Sequence, residues 1–329
     1  MKTVKRILLV NFGGIGDEIL FLPVIKSIKE KFPDAALTLC LEPRSKSIKD
    51  LAPEIDDVLL VDIKSKNKYF ELFKFVFKAF YGKYDVVVSS GTNKLIPILL
   101  FLTGIKTRIG YNCGGITSKL LTNSIELNKR QFAGMMYHDL VRDYTGCKYN
   151  NPQINVNASE MTKNMVVVHP GVSKMSIKKN IIKSYGYNKW AELVKMLLNK
   201  GEEVALVGGP DDDECVSAIL NNLKDVDCSN FHNFYGKTKN LKELAALFTG
   251  AKAVVCCDSA PMHLAIAVNA KTITFFGPTD ERKLVPKKDN VTVITAKCDC
   301  RPCLWDKRAE SCNEKYCLNF SNEDVLNSL

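Results

Sequence analysis

No stretch of this sequence is apolar for long enough to cross a bilayer; runs such as residues 95–102 stop well short of the ~20 residues a spanning helix needs. No secretory leader is legible, because residues 1–6 lead straight into 7–10, a run of strand length that ends in a glycine loop. A cytoplasmic protein is therefore expected. Low-complexity tracts and short repeats are missing. So is the broad, arginine-containing basic stripe of a nucleic-acid footprint, and no nucleic-acid partner is expected. The first glycine loop, residues 11–18, follows neither the G-x-G-x-x-G pattern nor that of a P-loop with its Lys and Ser/Thr. No carboxylates stand at a spacing suited to a catalytic metal.

What is present is globular. The 329 residues, 46% hydrophobic and 25% charged, exceed what one core usually serves, so two domains are expected. The formal net charge of +10 is uneven. Residues 64–83 hold six Lys against one Glu, residues 174–189 hold five Lys and no acid, and the remainder sums to zero. Two local patches of that kind suit two anionic contacts. Of the 12 cysteines, five crowd into residues 298–317, which argues for reduced thiols plus one local cluster rather than a secreted disulfide scaffold.

Short apolar runs alternate with amphipathic ones. Strands are expected at 6–11, 36–40, 58–61 and 85–89, with helices beginning near Asp17, Ser45, Tyr69 and Asn93. The rhythm restarts with strands at 165–169, 203–207, 253–257 and 271–275, and helices near Asn188, Asp211, Leu241 and Pro261. Such alternation implies parallel sheets, and the polar stretch 148–162 reads as a linker. The expected fold class is α/β: two Rossmann-like doubly wound domains, 1–155 and 156–329, facing a central cleft where ligands collect.

Four segments carry chemistry. Asp258-Ser-Ala-Pro-Met-His263-Leu-Ala265 leads through an apolar run into the turn Gly277-Pro-Thr-Asp280. An acid and a serine before a Pro-led helix can cap it with their oxygens and leave its N–H groups facing an anion; the plain alternative is a well-capped βαβ unit. In the first loop Gly13, Gly14 and Gly16 let the backbone bend closely around a substrate. Asp17 there is either the helix N-cap or a carboxylate able to take a proton from a substrate hydroxyl. Val166-Val-Val-His169-Pro-Gly171-Val-Ser173 runs through a lysine-rich stretch to Lys183 and Trp190-Ala-Glu-Leu193, either a diphosphate cradle or a solvated basic loop. Val207-Gly-Gly-Pro210-Asp-Asp-Asp-Glu214 puts acids in a first helical turn, where they complement the helix dipole or hydrogen-bond a ribose diol.

The Gly-Ile-Gly16-Asp17 loop, His169-Pro-Gly171 with Lys183, Gly208-Gly-Pro210, the segment 235–246 and the Asp258-Ser motif through Asp280 together resemble the ADP-heptose:lipopolysaccharide heptosyltransferase family, inverting glycosyltransferases of the GT-B fold. The resemblance implies transfer of a heptose or similar sugar from a nucleotide-diphosphate donor, ADP-heptose by the family's pattern, to a lipopolysaccharide-core-like or other glycan acceptor. It places the acceptor in the N-terminal domain and the donor in the C-terminal one. Carried over position by position, it makes Asp17 the general base and sets Lys183 and Ser173 at the donor phosphates. Asp258, Ser259 and His263 go to the donor-binding helix start, and Glu214 to a ribose or adenine contact. Where the family commonly has Gly after Asp-Ser, this chain has Ala260, which weakens the case for close backbone approach there. Lys and helix N–H donors can meet the charge on the leaving group, so no cofactor or catalytic metal is expected. Rival readings are a GT-B-like nucleotide-sugar epimerase and a nucleotide-sugar-binding module without activity.

Two segments stand apart. In residues 69–80, Phe70, Phe73, Phe77 and Phe80 share one helical face and Lys74 and Lys78 lie on another. This is either a helix packed against the sheet or a basic aromatic surface touching a lipid-linked acceptor or the anionic inner face of a membrane. Cys300, Cys303, Cys312 and Cys317, spaced C-x2-C and C-x4-C, suit a structural zinc, free thiols or a disulfide. His138 and His232 sit in no motif and are expected to be surface or core residues.

Overall fold

The computed structural model describes residues 3–178, 181, 183–224, 226–306 and 311–329, the side chains of Met175, Lys178 and Asp306 excepted; Lys179 of the expected cradle lies outside them. The chain forms two compact units, Met1–Pro152 and Gln153–Leu329.

In the first unit the order is β1 (Arg6–Val10), α1 (Ile15–Lys31), β2 (Ala36–Leu41), β3 (Asp57–Leu60), α2 (Lys68–Tyr81), β4 (Val86–Ser89), α3 (Leu95–Leu102), β5 (Thr107–Tyr111), β6 (Asn123–Ile125) and α4 (Ala133–Thr145). The strands form one parallel sheet, β3-β2-β1-β4-β5-β6, with Leu8 level with both Thr38 and Val87. Ile7, Leu8 and Leu9 are completely buried, as a central strand covered on both faces requires.

The second unit runs β7 (Val166–His169), α5 (Lys174–Lys178), α6 (Tyr187–Asn199), β8 (Val204–Leu206), α7 (Asp213–Asn222), β9 (Phe231–Asn233), α8 (Leu241–Gly250), β10 (Ala253–Cys257), α9 (Ala260–Ala267), β11 (Thr272–Phe276) and β12 (Val291–Thr295). Its parallel sheet, β12-β11-β10-β7-β8-β9, repeats the winding of the first. The doubly wound α/β fold class read from the alternation holds in both units. In each, the first and fourth strands lie side by side and their exit loops part to opposite faces, which opens a crevice between β1 and β4 and another between β7 and β10.

Four strands were not legible. β6 and β9 are three-residue edge strands, Asn-Ser-Ile and Phe-His-Asn, whose extension comes from pairing with β5 and β8 rather than from an apolar run. β12 is half-buried at the other edge, and β5, Thr-Arg-Ile-Gly-Tyr, carries no continuous apolar stretch. The helix expected near Ser45 is a 3-10 segment, Pro43–Leu51. Helix α2 forms as expected but packs by Phe75 and Ala79, leaving the Phe70, Phe73, Phe77 and Phe80 face outward.

Candidate active site

At the end of β1 the chain turns through a glycine loop into α1. Gly14 is the N-cap, in extended backbone (φ −80°, ψ 176°), and its N–H donates to Asp17 Oδ2 at 2.9 Å. Asp17 is thus the third helical residue closing back on the cap, not the cap itself. Its other oxygen, Oδ1, accepts from the Tyr137 hydroxyl at 3.3 Å, a residue that α4 delivers. Capping therefore occupies one oxygen and leaves the other on an exposed side chain, beside a hydroxyl. Gly13 makes this possible, because a Cβ there would stand 2.2 Å from Asp17 Cβ. A Cβ on Gly14 would make only ordinary van der Waals contact, 3.8 Å from both Arg44 Nη2 and Asp17 Oδ2, and Gly16 lies in the first turn of α1. The loop is braced on both sides: Ser45 Oγ donates to Gly13 O at 3.1 Å, and Ser90, just past β4, donates to Asn11 Oδ1.

Directly behind Asp17, Glu18 is completely buried and neither carboxylate oxygen has a hydrogen-bond partner. Burial pushes its pKa well above the usual glutamate range; the Asn11 amide and the Gly13 N–H oppose the shift from nearby without reaching hydrogen-bond geometry, while Asp17 and Glu42 add to it. Glu42, also buried, is met by Arg44 Nε at 2.5 Å and Lys64 Nζ at 3.1 Å.

In the second unit the crevice between β7 and β10 brings together part of the expected donor set: Lys183 with Asp258, and Ser259 with the loop after His169. His169 closes β7, buried, with Nε2 3.6 Å from Asp212 Oδ2; burial lowers its pKa against the pull of that carboxylate. Asp212 Oδ2 also accepts from the Gly209 N–H at 2.7 Å, so the Gly-Gly-Pro turn is fastened to its own acid. A Cβ on Gly171 would lie 1.6 Å from Asp212 Oδ1, so only glycine lets the His169–Pro170–Gly171 loop pass there. Ser259 Oγ reaches Gly171 O at 3.5 Å and Cys257 O at 3.4 Å, tying the two exit loops together.

This corrects the capping expectation. Ser259 occupies the N-cap of α9 but makes no side-chain cap, and Asp258 turns instead to Lys183, whose Nζ is 2.8 Å from Oδ2. The contact is an ion pair rather than an aligned hydrogen bond, since Oδ2 has no hydrogen-bond partner; Asp258 is 3% exposed and Lys183 17%. Ala260 opens α9 in ordinary helical backbone, and His263 is buried in the same helix. Ser173 lies exposed before α5, its Oγ accepting from the Ser176 N–H at 3.2 Å. Glu214 stands in the first turn of α7, accepting from the Tyr187 hydroxyl at 3.4 Å. Both line a cavity of about 210 Å³ with Pro170, Gly171, Val172 and Cys215.

The profile of Glycosyltransferase family 9 (heptosyltransferase) matches residues 76–315. The chain belongs to that family. This glycosyltransferase is 28% identical over 302 residues to lipopolysaccharide heptosyltransferase 3 of Escherichia coli, the match covering 84% of each chain. Its fold superposes on the structure of E. coli ADP-heptose lps heptosyltransferase II with a TM-score of 0.78 at 20% identity, covering 98% of this chain and 97% of the other. On E. coli heptosyltransferase WaaC with ADP-2-deoxy-2-fluoro heptose the TM-score is 0.68 at 20% identity, with 88% and 93% covered. The resemblance read from the motifs holds.

Sequence reasoning about this glycosyltransferase missed Tyr137, Tyr187 and the bracing role of Asp212. Tyr137 and Tyr187 act through partners that only folding brings near: Tyr137 is 120 residues from Asp17, and its signal was limited to standing beside His138. His138 itself is a core residue, Nε2 2.9 Å from Ser27 Oγ; His232 is partly exposed, 3.6 Å from Glu203 Oε2. In the cysteine tail, Cys298 and Cys300 sulfurs are 3.6 Å apart, and the Cys317 thiol is pushed up to about 11 by burial and then by Cys298, Cys300, Cys303 and Cys312 around it. Among the described residues no group of three or more His, Cys, Asp or Glu is gathered closely enough to hold a metal ion. No helix among them is long and apolar enough to cross a membrane.

Proposed function

We propose that this glycosyltransferase moves heptose from ADP-heptose onto a lipopolysaccharide-core-like, lipid-linked glycan by a single inverting displacement, working as a peripheral protein at the inner face of the membrane. The observation that carries the reading is the Asp17 carboxylate, an exposed side chain fastened at one oxygen by the Gly14 N–H and hydrogen-bonded at the other by the Tyr137 hydroxyl. Held in that way, Asp17 takes the proton of the acceptor hydroxyl as its oxygen bonds to the anomeric carbon. The bond from that carbon to the donor phosphate breaks on the opposite face, and the diphosphate leaves with the electron pair. Lys183, Ser173 and the N–H groups at the start of α9 meet that charge, as paired cation and helix-terminus donors can, so the step needs no metal. His263 and Ser259 shape the same helix start. Asp258 keeps the Lys183 ammonium aimed when no donor is bound.

The cavity beside Glu214 and Tyr187 is smaller than the ~300–1,000 Å³ of a whole ligand site, which suits it to one part of the donor, the nucleoside. Support for the sugar and nucleotide comes from the family match and from the ADP-2-deoxy-2-fluoro heptose in the related WaaC structure. A structural zinc on Cys300, Cys303, Cys312 and Cys317 is a separate proposal, supported by their C-x2-C and C-x4-C spacing; the thiols would have to close on the ion, since among the described residues they are not gathered around a common point.

Asp17→Asn tests the base. The amide oxygen still accepts from the Gly14 N–H, so α1 keeps its start while the proton acceptor is gone. Transfer should fall ~10²–10⁴-fold with ADP affinity unchanged. Wild-type turnover in that variant, or a thermal shift with UDP, GDP or CDP as large as with ADP, overturns the corresponding part of the proposal.

A further inference from the structure

Helix α2 turns six aromatic side chains outward. Tyr69, Phe70, Phe73, Phe77, Phe80 and Tyr81 range from 54% exposed at Phe77 to 71% at Tyr69. At ~150–250 Å² per aromatic side chain, they leave on the order of 600–900 Å² bare. The largest apolar patch on a typical monomer is ~300–600 Å². The rings form one surface: Phe73 and Phe77 stack with centroids 6.5 Å apart, and Tyr81 lies 4.5 Å from Phe77 and 5.4 Å from Phe80. Neighbouring α3 adds exposed Leu95, Ile98, Phe101 and Leu102. The core does not need this face, because Phe75 and Ala79 supply the buried side.

The charge around the patch selects its partner. Residues 63–125 contain ten Lys and Arg but only two acids, Glu71 and Asp85. Glu71 is held by Lys74 at 2.5 Å, and Asp85 accepts from the N–H groups of Lys5 and Arg6 at 2.8 and 3.1 Å. Lys66, Lys68, Lys78, Lys83, Lys94 and Lys106 are exposed. An apolar groove on a protein would accept the rings but has no use for such an excess of one sign. Rings set among lysines match a surface whose apolar interior lies under anionic headgroups. A 14-residue helix is ~21 Å long, suited to lying on that surface rather than crossing it.

We propose that the α2–α3 face docks on an anionic lipid bilayer, with α2 in the headgroup plane and its phenylalanines below. The proposal rests on the peripheral location proposed for this glycosyltransferase, and names the face and the lipid charge that carry it. Co-flotation of the full chain with vesicles of phosphatidylcholine alone, and of phosphatidylcholine mixed with phosphatidylglycerol, tests it. The chain should float with the mixed vesicles and be released by salt. Binding should weaken about fivefold for each lysine removed in Lys66→Gln, Lys68→Gln and Lys83→Gln, and on the order of tenfold in Phe73→Ser/Phe77→Ser as apolar contact is lost. These side chains are exposed, so unchanged thermal melts separate lost binding from lost folding. Sugar transfer to a delipidated acceptor glycan should be equal in all variants; its failure in wild type counts against the proposed reaction and leaves flotation to decide the surface. Three results overturn the proposal: no binding to mixed vesicles, equal binding to both kinds, or a wild-type dimer that Phe73→Ser/Phe77→Ser splits, which would give the face to a second copy.

Discussion

The two neighbouring acids Asp17 and Glu18 show how one residue step along a helix decides a carboxylate's fate. Asp17 points outward and is hydrogen-bonded at both oxygens; Glu18 points into the unit and has no partner. Since burial raises the Glu18 pKa above its unfolded value, the native state holds that proton more tightly. Stability is therefore undiminished below the ordinary glutamate pKa, declines as pH rises from there toward the folded pKa, and carries the whole penalty above it. Glu18→Gln removes the ionisation. Its stability should exceed that of wild type by a margin that grows as pH rises above the ordinary glutamate pKa, reaching on the order of 1–3 kcal/mol, as read from thermal melts across pH. A margin that stays constant with pH, or reverses, would show that Glu18 is not buried as an uncompensated acid. The catalytic candidate was legible at this scale because a glycine loop followed by Asp is a local pattern. The necessity of Gly13 and Gly171 was not, since each is a glycine to make room for a particular acid, Asp17 and Asp212, whose position the fold decides.

Among the elements, β10 and α9 were legible from an apolar run and a Pro-led start, but the Asp258-Ser259 pair does something other than cap. The Lys183–Asp258 ion pair joins the lysine-rich loop after α5 to the end of β10, with the acid almost fully buried. Lys183→Ala should remove donor affinity and also destabilise the protein by ~3–5 kcal/mol, because a buried carboxylate is left without its cation. The double variant Lys183→Ala/Asp258→Ala should regain most of that stability without regaining donor affinity. If the single variant melts as wild type does, the pair does not hold the loop. Helix α2 teaches the opposite lesson about patterning. Its wide apolar arc reads on a wheel as a core-facing helix, yet the side that packs is Phe75 and Ala79. Periodicity finds an apolar face without saying whether the protein or something outside it is the partner.

The whole molecule repeats one winding, with the first and fourth strands adjacent in each sheet. In the second unit the C-terminal segment returns to the core: Phe320 packs on Phe275 and Tyr185 with centroids 5.0 and 5.5 Å apart, and Cys303 N–H donates to Pro278 O at 2.9 Å. If zinc joins Cys300, Cys303, Cys312 and Cys317, protein purified without chelator should contain it stoichiometrically, and its removal should lower the melting temperature. Metal-free protein with unchanged stability ends that proposal. The amino-acid sequence alone determined the alternation that builds parallel sheets, the family and the local motifs, because hydrophobic period, glycine turns and capping acids act over a few residues. Only the tertiary structure decided the edge strands, the partnering of Tyr137 with Asp17 and of Lys183 with Asp258, and the outward turn of the phenylalanines. Those depend on contacts between residues far apart in the chain, and a contact of that kind leaves no trace in spacing.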